Sequence, residues 1–225
     1  MVSLGELLVF ARVPVLGEGK TRLAAQIGIV ATHELYRAMG AHIVRSIAES
    51  PRNFSITVVY TPSGEASREA IAAWLPWAVR YEAQREGTLG ERMQHALGAA
   101  ILRSNRAVVV GTDCVFVTAP LIQRALHDLD DVPCVLGPAE DGGYFYLGVN
   151  RGDLPIFNEI PWSTEVVFSE TMARLREANL RAVIAPKERD VDTLEDLVAI
   201  AEDPRVRAQP ELFRAVCDAL AAAPK

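Results

Sequence analysis

Short apolar runs alternate along the chain with longer stretches of helical periodicity, and this alternation constrains the fold more than any other feature. Residues 7–11 (LLVFA), 55–60 (SITVVY) and 106–111 (containing AVVV) are runs of strand length. The AVVV segment shows no polar alternation, as expected of a strand covered on both faces. Between the first two runs, residues 31–49 place Leu35, Met39, Ile43 and Ile47 four apart, along one face of a helix. The same reading predicts further helices over 65–75, 89–104, 118–129, 163–177, 193–202 and 211–222. It predicts strands over 78–82, 132–137, 144–149 and 181–185. Thr118 is the expected N-cap of its helix, with Pro120 in the first turn, and Ser163 that of the next. Asp192 and Glu195 read as an acidic capping box. Strands alternating with helices predict an α/β domain whose mostly parallel sheet is flanked by helices. No repeat or low-complexity linker divides the 225 residues, so one domain over 1–225 is expected, with 203–225 as a C-terminal helical extension.

Composition narrows the functional classes. Lys and Arg total 23 against 29 Asp and Glu, a net charge of −6, which argues against a protein that coats duplex nucleic acid. The cysteines, Cys114, Cys134 and Cys217, lie far apart without a CxxC pair, the pattern of reduced thiols in a cytoplasmic protein. Residues 1–6 lack the basic region of a secretory leader, and 7–11 is too short for its apolar core. No stretch approaches the roughly 18 apolar residues of a membrane span. His33, His42, His95 and His127 fall in helical stretches without HxxxH spacing and read as helix-face residues. The expected partner is a small molecule, and the oligomeric state stays open.

In parallel sheets, ligands bind beyond the carboxyl ends of the strands, so the loops after the strands carry the chemistry. The first, residues 12–22 (RVPVLGEGKTR), holds Arg12, Lys20 and Arg22 on a turn with Gly17 and Gly19, just before a helix. Glycine permits close backbone approach, a helix N-terminus favours anions, and arginine forks onto phosphate oxygens. The turn reads as a diphosphate cradle or as a solvated basic turn, and it matches neither GxxxxGK[ST] nor GxGxxG. The second loop, GTDC at 111–114, puts Asp113 at the end of a central strand, where a carboxylate either caps a turn or holds Mg²⁺ against phosphates. The third, GPAEDGGY at 137–144, reads as a hairpin turn, or as a bare backbone wall beside a ligand with Glu140 or Asp141 facing it. The fourth, DVDTLE at 190–195, gives Asp192 a second possible role as a metal ligand. Residues 84–93 (QREGTLGERM), with Gly87 and Gly90, open a helix. Trp162, like Tyr144, offers a ring that either packs or stacks on a base or sugar.

Together FARVPVLGEGKTRLA, GTDC, GPAEDGGYFYLG, IPWST and DVDTLEDL, over residues 7–197, resemble a group of glycosyltransferase-A-like proteins. Some members are named arsenosugar biosynthesis glycosyltransferases or radical-SAM/selenodomain-associated transferases. The group is similar to nucleotidyltransferases that make molybdopterin guanine dinucleotide. The resemblance implies a Rossmann-like nucleotide-diphospho-sugar transferase (GT-A) domain in which Arg12, Lys20 and Arg22 contact nucleotide phosphates, and the loop glycines Gly17, Gly87, Gly90, Gly142 and Gly143 are the further candidates for lining that nucleotide site. It also implies Mg²⁺ or Mn²⁺ held by Asp113 and Asp192. Asp141 or Glu140 would then be the base on an acceptor hydroxyl. Two departures stand out: Val115-Phe116 replaces the usual Pro-Asp after Asp-Cys, and Gly87-Thr88-Leu89-Gly90 replaces Gly-Asp-Leu-Gly. The expected activity is metal-dependent transfer from a nucleotide-activated donor, foremost glycosyl transfer. The alternatives are nucleotidyl transfer from a triphosphate and a binder that has lost catalysis.

Overall fold

The computed structural model describes residues 5–224. The leader reading of residues 1–6 therefore rests mostly on positions outside the described residues. Seven strands form one sheet: β1 (Glu6–Arg12), β2 (Ser55–Thr61), β3 (Arg80–Ala83), β4 (Ala107–Val110), β5 (Cys134–Pro138), β6 (Tyr144–Val149) and β7 (Ala182–Ile184), in the order β3-β2-β1-β4-β6-β5-β7. β1 lies between β2 and β4, parallel to both, with Leu7 level with Ile56 and Val108. β6 runs antiparallel to both of its neighbours, β4 and β5. The Asp-Gly-Gly segment is indeed the turn of the β5–β6 hairpin, closed by Ala139 N–H donating to the Gly143 carbonyl at 3.0 Å.

Successive side chains of β1 leave on opposite faces. Leu7, Val9 and Ala11 join one core with α2 (Ile29–Glu49), α3 (Glu65–Trp74) and α5 (Ala119–Asp128). Leu8 and Phe10 join another with α4 (Leu89–Ser104) and α6 (Val167–Glu177). A third cluster links α1 (Thr21–Ile27) and α2 to α7 (Leu194–Glu202), α8 (Pro204–Arg207) and α9 (Pro210–Ala221). This mixed sheet with helices on both faces is the expected α/β class. Among the described residues no helix is long and apolar enough to cross a membrane.

Several local expectations are corrected. The basic turn leads into a short helix of its own, α1, and Gly28 at φ 85° both ends α1 and starts α2. A short helix, α8, interrupts the charged segment between α7 and α9. Ser163 does not cap α6: it sits at φ 65°, four residues before the helix, whose N-cap Val166 makes no side-chain bond. The hairpin turn supplies an acceptor there instead, the Gly142 carbonyl receiving Phe168 N–H at 2.9 Å. Asp192 and Glu195 do not form the capping box of α7. Thr193 is the N-cap and Asp196 its reciprocal partner, so the Asp192 carboxylate is left for tertiary contacts. The cysteines are free thiols, with Cys114 and Cys134 buried and Cys217 exposed.

Candidate functional site

The loops after β1, β4 and β7 meet at one ammonium group. After β1 the chain turns through Gly17 and Gly19, both at positive φ, into Lys20, itself left-handed at φ 41°. That turn sends the Lys20 side chain inward, where it is 7% exposed. Its Nζ lies 2.5 Å from Asp113 Oδ1 and donates to the Val191 carbonyl at 2.6 Å and to Asp192 Oδ1 at 3.2 Å. The two acid-bearing loops are also joined directly, Val191 N–H donating to the Asp113 carbonyl at 3.1 Å. Burial pushes the Lys20 ammonium down in pKa, but the facing carboxylates of Asp113 and Asp192 outweigh it and hold the group above its ordinary value. Arg22 reaches the other oxygen of Asp192 at 2.9 Å, with most of its side chain in solvent.

A cavity of about 740 Å³ opens beside this junction. Its polar lining includes Asp113, Asp141, Asp190, Asp192 and Arg22, and its apolar lining includes Phe10, Met93, Tyr144 and Trp162. The Tyr144 and Trp162 rings pack edge to face, centroids 6.2 Å apart. A recess of about 200 Å³ is lined by Arg12, Gly17, Lys20, His33 and Tyr36, and shares Asp113 and Phe10 with the larger cavity. The Tyr36 hydroxyl donates to the Arg12 carbonyl at 2.9 Å and accepts from Arg12 N–H at 3.1 Å, which anchors the start of the basic turn.

Asp190 is the residue that sequence reasoning passed over, although it opens the same DVDT stretch. No hydrogen bond or ion pair engages its carboxylate among the described residues. Burial first, then the negative charges of Asp113, Asp141 and Asp192, raise its pKa to about 8 against the pull of Lys20. No spacing rule marks it, because its environment comes from loops distant in sequence.

The other candidates separate. Arg12 and Gly17 face the recess, Arg22 the cavity, so the basic turn is divided between two spaces rather than closed on one. Arg12 pairs loosely with Glu18 at 3.7 Å. Asp141 lines the cavity and accepts from Gly143 N–H at 2.9 Å, whereas the Glu140 carboxylate is held by Arg189. Gly142, at φ 89°, lies so close to Glu165 that a Cβ would overlap its carbonyl. Gly90 is the seat of the Trp162 indole, and Gly87 packs on Glu91 within the Thr88–Glu91 capping box of α4. Phe116 packs between two of the core clusters, with the Arg205 guanidinium 3.8 Å above its ring. Among the described residues no three His, Cys, Asp or Glu side chains are gathered at metal-binding distances.

A family profile described as an uncharacterized protein conserved in bacteria (DUF2064) matches residues 46–164. A crystal structure of a candidate nucleotide-diphospho-sugar transferase from Desulfovibrio desulfuricans G20 superposes with a TM-score of 0.88 at 29% identity, over 98% of this chain and 96% of that one. A cytidylyltransferase from Leptospira borgpetersenii superposes at 0.53 and 12% identity, over 97% and 93% of the two chains. CMP:2-keto-3-deoxy-manno-octonic acid synthetase, solved with CTP, superposes at 0.52 and 12% identity, over 92% and 99%. No curated protein matches the sequence. The fold is that of the nucleotide-diphospho-sugar transferases.

Proposed function

The chain belongs to the bacterial DUF2064 family, and from that premise and the cavity's geometry we propose that it transfers a glycosyl group from a nucleotide-diphospho-sugar. The observation that carries the reading is the junction itself. Two carboxylates from distant loops share one buried cation beside a large cavity that holds both acids and aromatic rings. The name of the Desulfovibrio protein, at 29% identity, supports a nucleotide-diphospho-sugar as the donor. The narrower resemblance to proteins named arsenosugar biosynthesis glycosyltransferases favours glycosyl over nucleotidyl transfer.

Mg²⁺ or Mn²⁺ suits the donor set. Asp113 and Asp192 offer two hard carboxylate oxygens, as many as Mg²⁺ commonly takes from a protein beside substrate phosphates, and Asp190 lies near enough to feel the charge of both. When bound, such an ion would supply charge neutralisation on the departing diphosphate. The chain's own groups do the rest. Arg22 and Arg12 fork onto phosphate oxygens from the two sides of Lys20. The Tyr144 and Trp162 rings hold the face of a sugar or base. Asp141, whose carboxylate accepts from Gly143 N–H and has no other hydrogen-bond partner among the described residues, accepts the proton of the acceptor hydroxyl. Glu140, tied to Arg189, takes no part.

The test is a thermal-shift screen of nucleotide-diphospho-sugars and nucleoside triphosphates, each with Mn²⁺ and with EDTA. A ligand present at a hundredfold excess over its Kd raises stability by about 2.7 kcal/mol. The expected result is a Mn²⁺-dependent shift with one diphospho-sugar that Asp113→Asn abolishes. A shift with a triphosphate alone would assign nucleotidyl transfer. Equal shifts with and without metal would make the protein a binder that has lost its metal chemistry.

A further inference from the structure

Lys20 lies in the loop that the resemblance assigns to phosphate binding, yet its geometry does not fit a free phosphate ligand. An ammonium has three donors, and those of Lys20 face Asp113 Oδ1, the Val191 carbonyl and Asp192 Oδ1 at 2.5, 2.6 and 3.2 Å. The side chain is almost wholly enclosed, at 7% exposure. Arg22, two residues on, is 69% exposed and has donors to spare. We propose that Lys20 is a tethered counter-cation: its ammonium stands between Asp113 and Asp192 in the place a divalent ion takes, and is expelled when that ion binds. This inference rests on the metal reading of the preceding section.

Distances and charge carry the argument. Magnesium–carboxylate contacts are about 2.0–2.1 Å, whereas the Asp192 oxygen stands 3.2 Å from the nitrogen. One oxygen of each carboxylate is thus already taken up by the ammonium, and among the described residues no third His, Cys, Asp or Glu joins them at metal-binding distance. One lysine cannot share these oxygens with a divalent ion, since both positive groups would occupy the same point at close Coulombic range. Without Lys20, Asp113 would lose this ion pair and Asp192 would be left with the exposed Arg22, both beside Asp190 and Asp141. With it, the loops after β1, β4 and β7 are held together in the absence of metal. The displaced ammonium regains free donors, and the adjoining recess with Arg12 offers it a place beside the donor phosphates. Lys20 is thus a positioning residue that becomes a phosphate contact only after the metal has entered.

Two measurements test the exchange. The first compares Mn²⁺ affinity without nucleotide, by electron paramagnetic resonance, in wild type, Lys20→Gln, Lys187→Gln and Asp113→Asn. Lys20→Gln is expected to bind Mn²⁺ at least about tenfold more tightly than wild type, and Lys187→Gln, which removes the same charge from an exposed position outside the site, within about threefold. The second uses the wild-type chain and needs no variant to fold. Acetylation of Lys20 by a water-soluble active ester is measured by mass spectrometry against the exposed Lys187. It is expected to be slow in EDTA and to rise several-fold, relative to Lys187, in Mn²⁺. Asp113-dependent Mn²⁺ binding with no gain in Lys20→Gln, or with Lys20 still protected, would overturn the counter-cation while leaving the metal site intact. Absence of Mn²⁺ binding in every form would overturn both readings.

Discussion

At the residue scale, the site gathers groups whose properties differ sharply from those of the same residues in water. Asp190 shows the effect most clearly, since burial and three neighbouring acids raise it to about 8. A carboxyl whose folded pKa exceeds its unfolded value of roughly 3.9 favours the folded state while protonated. Its contribution is therefore complete below the unfolded pKa and is lost as pH rises through the folded one. Asp190→Asn, which cannot ionise, is expected to gain stability over wild type as pH rises from 5 to 8.5. Thermal melts in EDTA across that range check this, and a constant difference between the two proteins would refute it. Gly142 is a second such residue, because both its φ of 89° and the nearness of Glu165 exclude a side chain. Gly142→Ala is expected to cost at least about 2 kcal/mol in urea unfolding. Neither role was legible from the residues alone. DVDT drew attention to Asp192 because capping-box spacing is a local rule, while the burial of Asp190 and the contact at Gly142 are made by distant segments.

At the scale of elements, the two ends of β1 do different work. Its carboxyl end feeds the basic turn of the site. Its amino end carries Glu6, 2% exposed, which accepts from Thr57 Oγ1 at 2.5 Å and from Arg103 of α4 through Nε at 3.0 Å and Nη2 at 2.9 Å. This fork ties α4 to the amino end of β1, opposite the end that feeds the site, and Arg103 also lies 3.2 Å from Glu82 of β3. Removing one partner of a buried pair leaves the other charge unpaired, a loss of about 3–5 kcal/mol. Arg103→Ala is expected to lower stability by the lower end of that range in chemical denaturation, with Mn²⁺ binding unchanged. Elements with strong periodicity were readable at nearly their observed bounds: α4 and β6 coincide with the sequence reading. The start of α6 was not, because its first turn is satisfied by the hairpin's Gly142 carbonyl rather than by a local cap. The short helix before Gly28 was missed because its seven residues are too few to show a helical period.

At the scale of the whole molecule, α9 bears on the expectation of one domain. Leu212 and Val216 are buried in the cluster that holds Leu35 and Met39 of α2 and Leu23 of α1. The C-terminal helix thus shares a core with the helix that follows the basic turn. Leu212→Ala is expected to destabilise by about 2–5 kcal/mol within a single calorimetric transition, whereas a separate low-temperature transition would show 203–225 to be an appendage. The α/β class, the order of most elements and the loops that meet at the cavity were determined by the sequence alone. Apolar run length and helical period are local signals, and parallel strands oblige those loops to gather at one end of the sheet. Only the tertiary structure decided that Lys20 lies buried between Asp113 and Asp192, that Arg12 and Arg22 face different spaces, that Glu140 is tied to Arg189, and that Gly90 seats Trp162. Each depends on which side chains from segments far apart in the chain compete for the same few ångströms, and neither spacing nor composition carries that information.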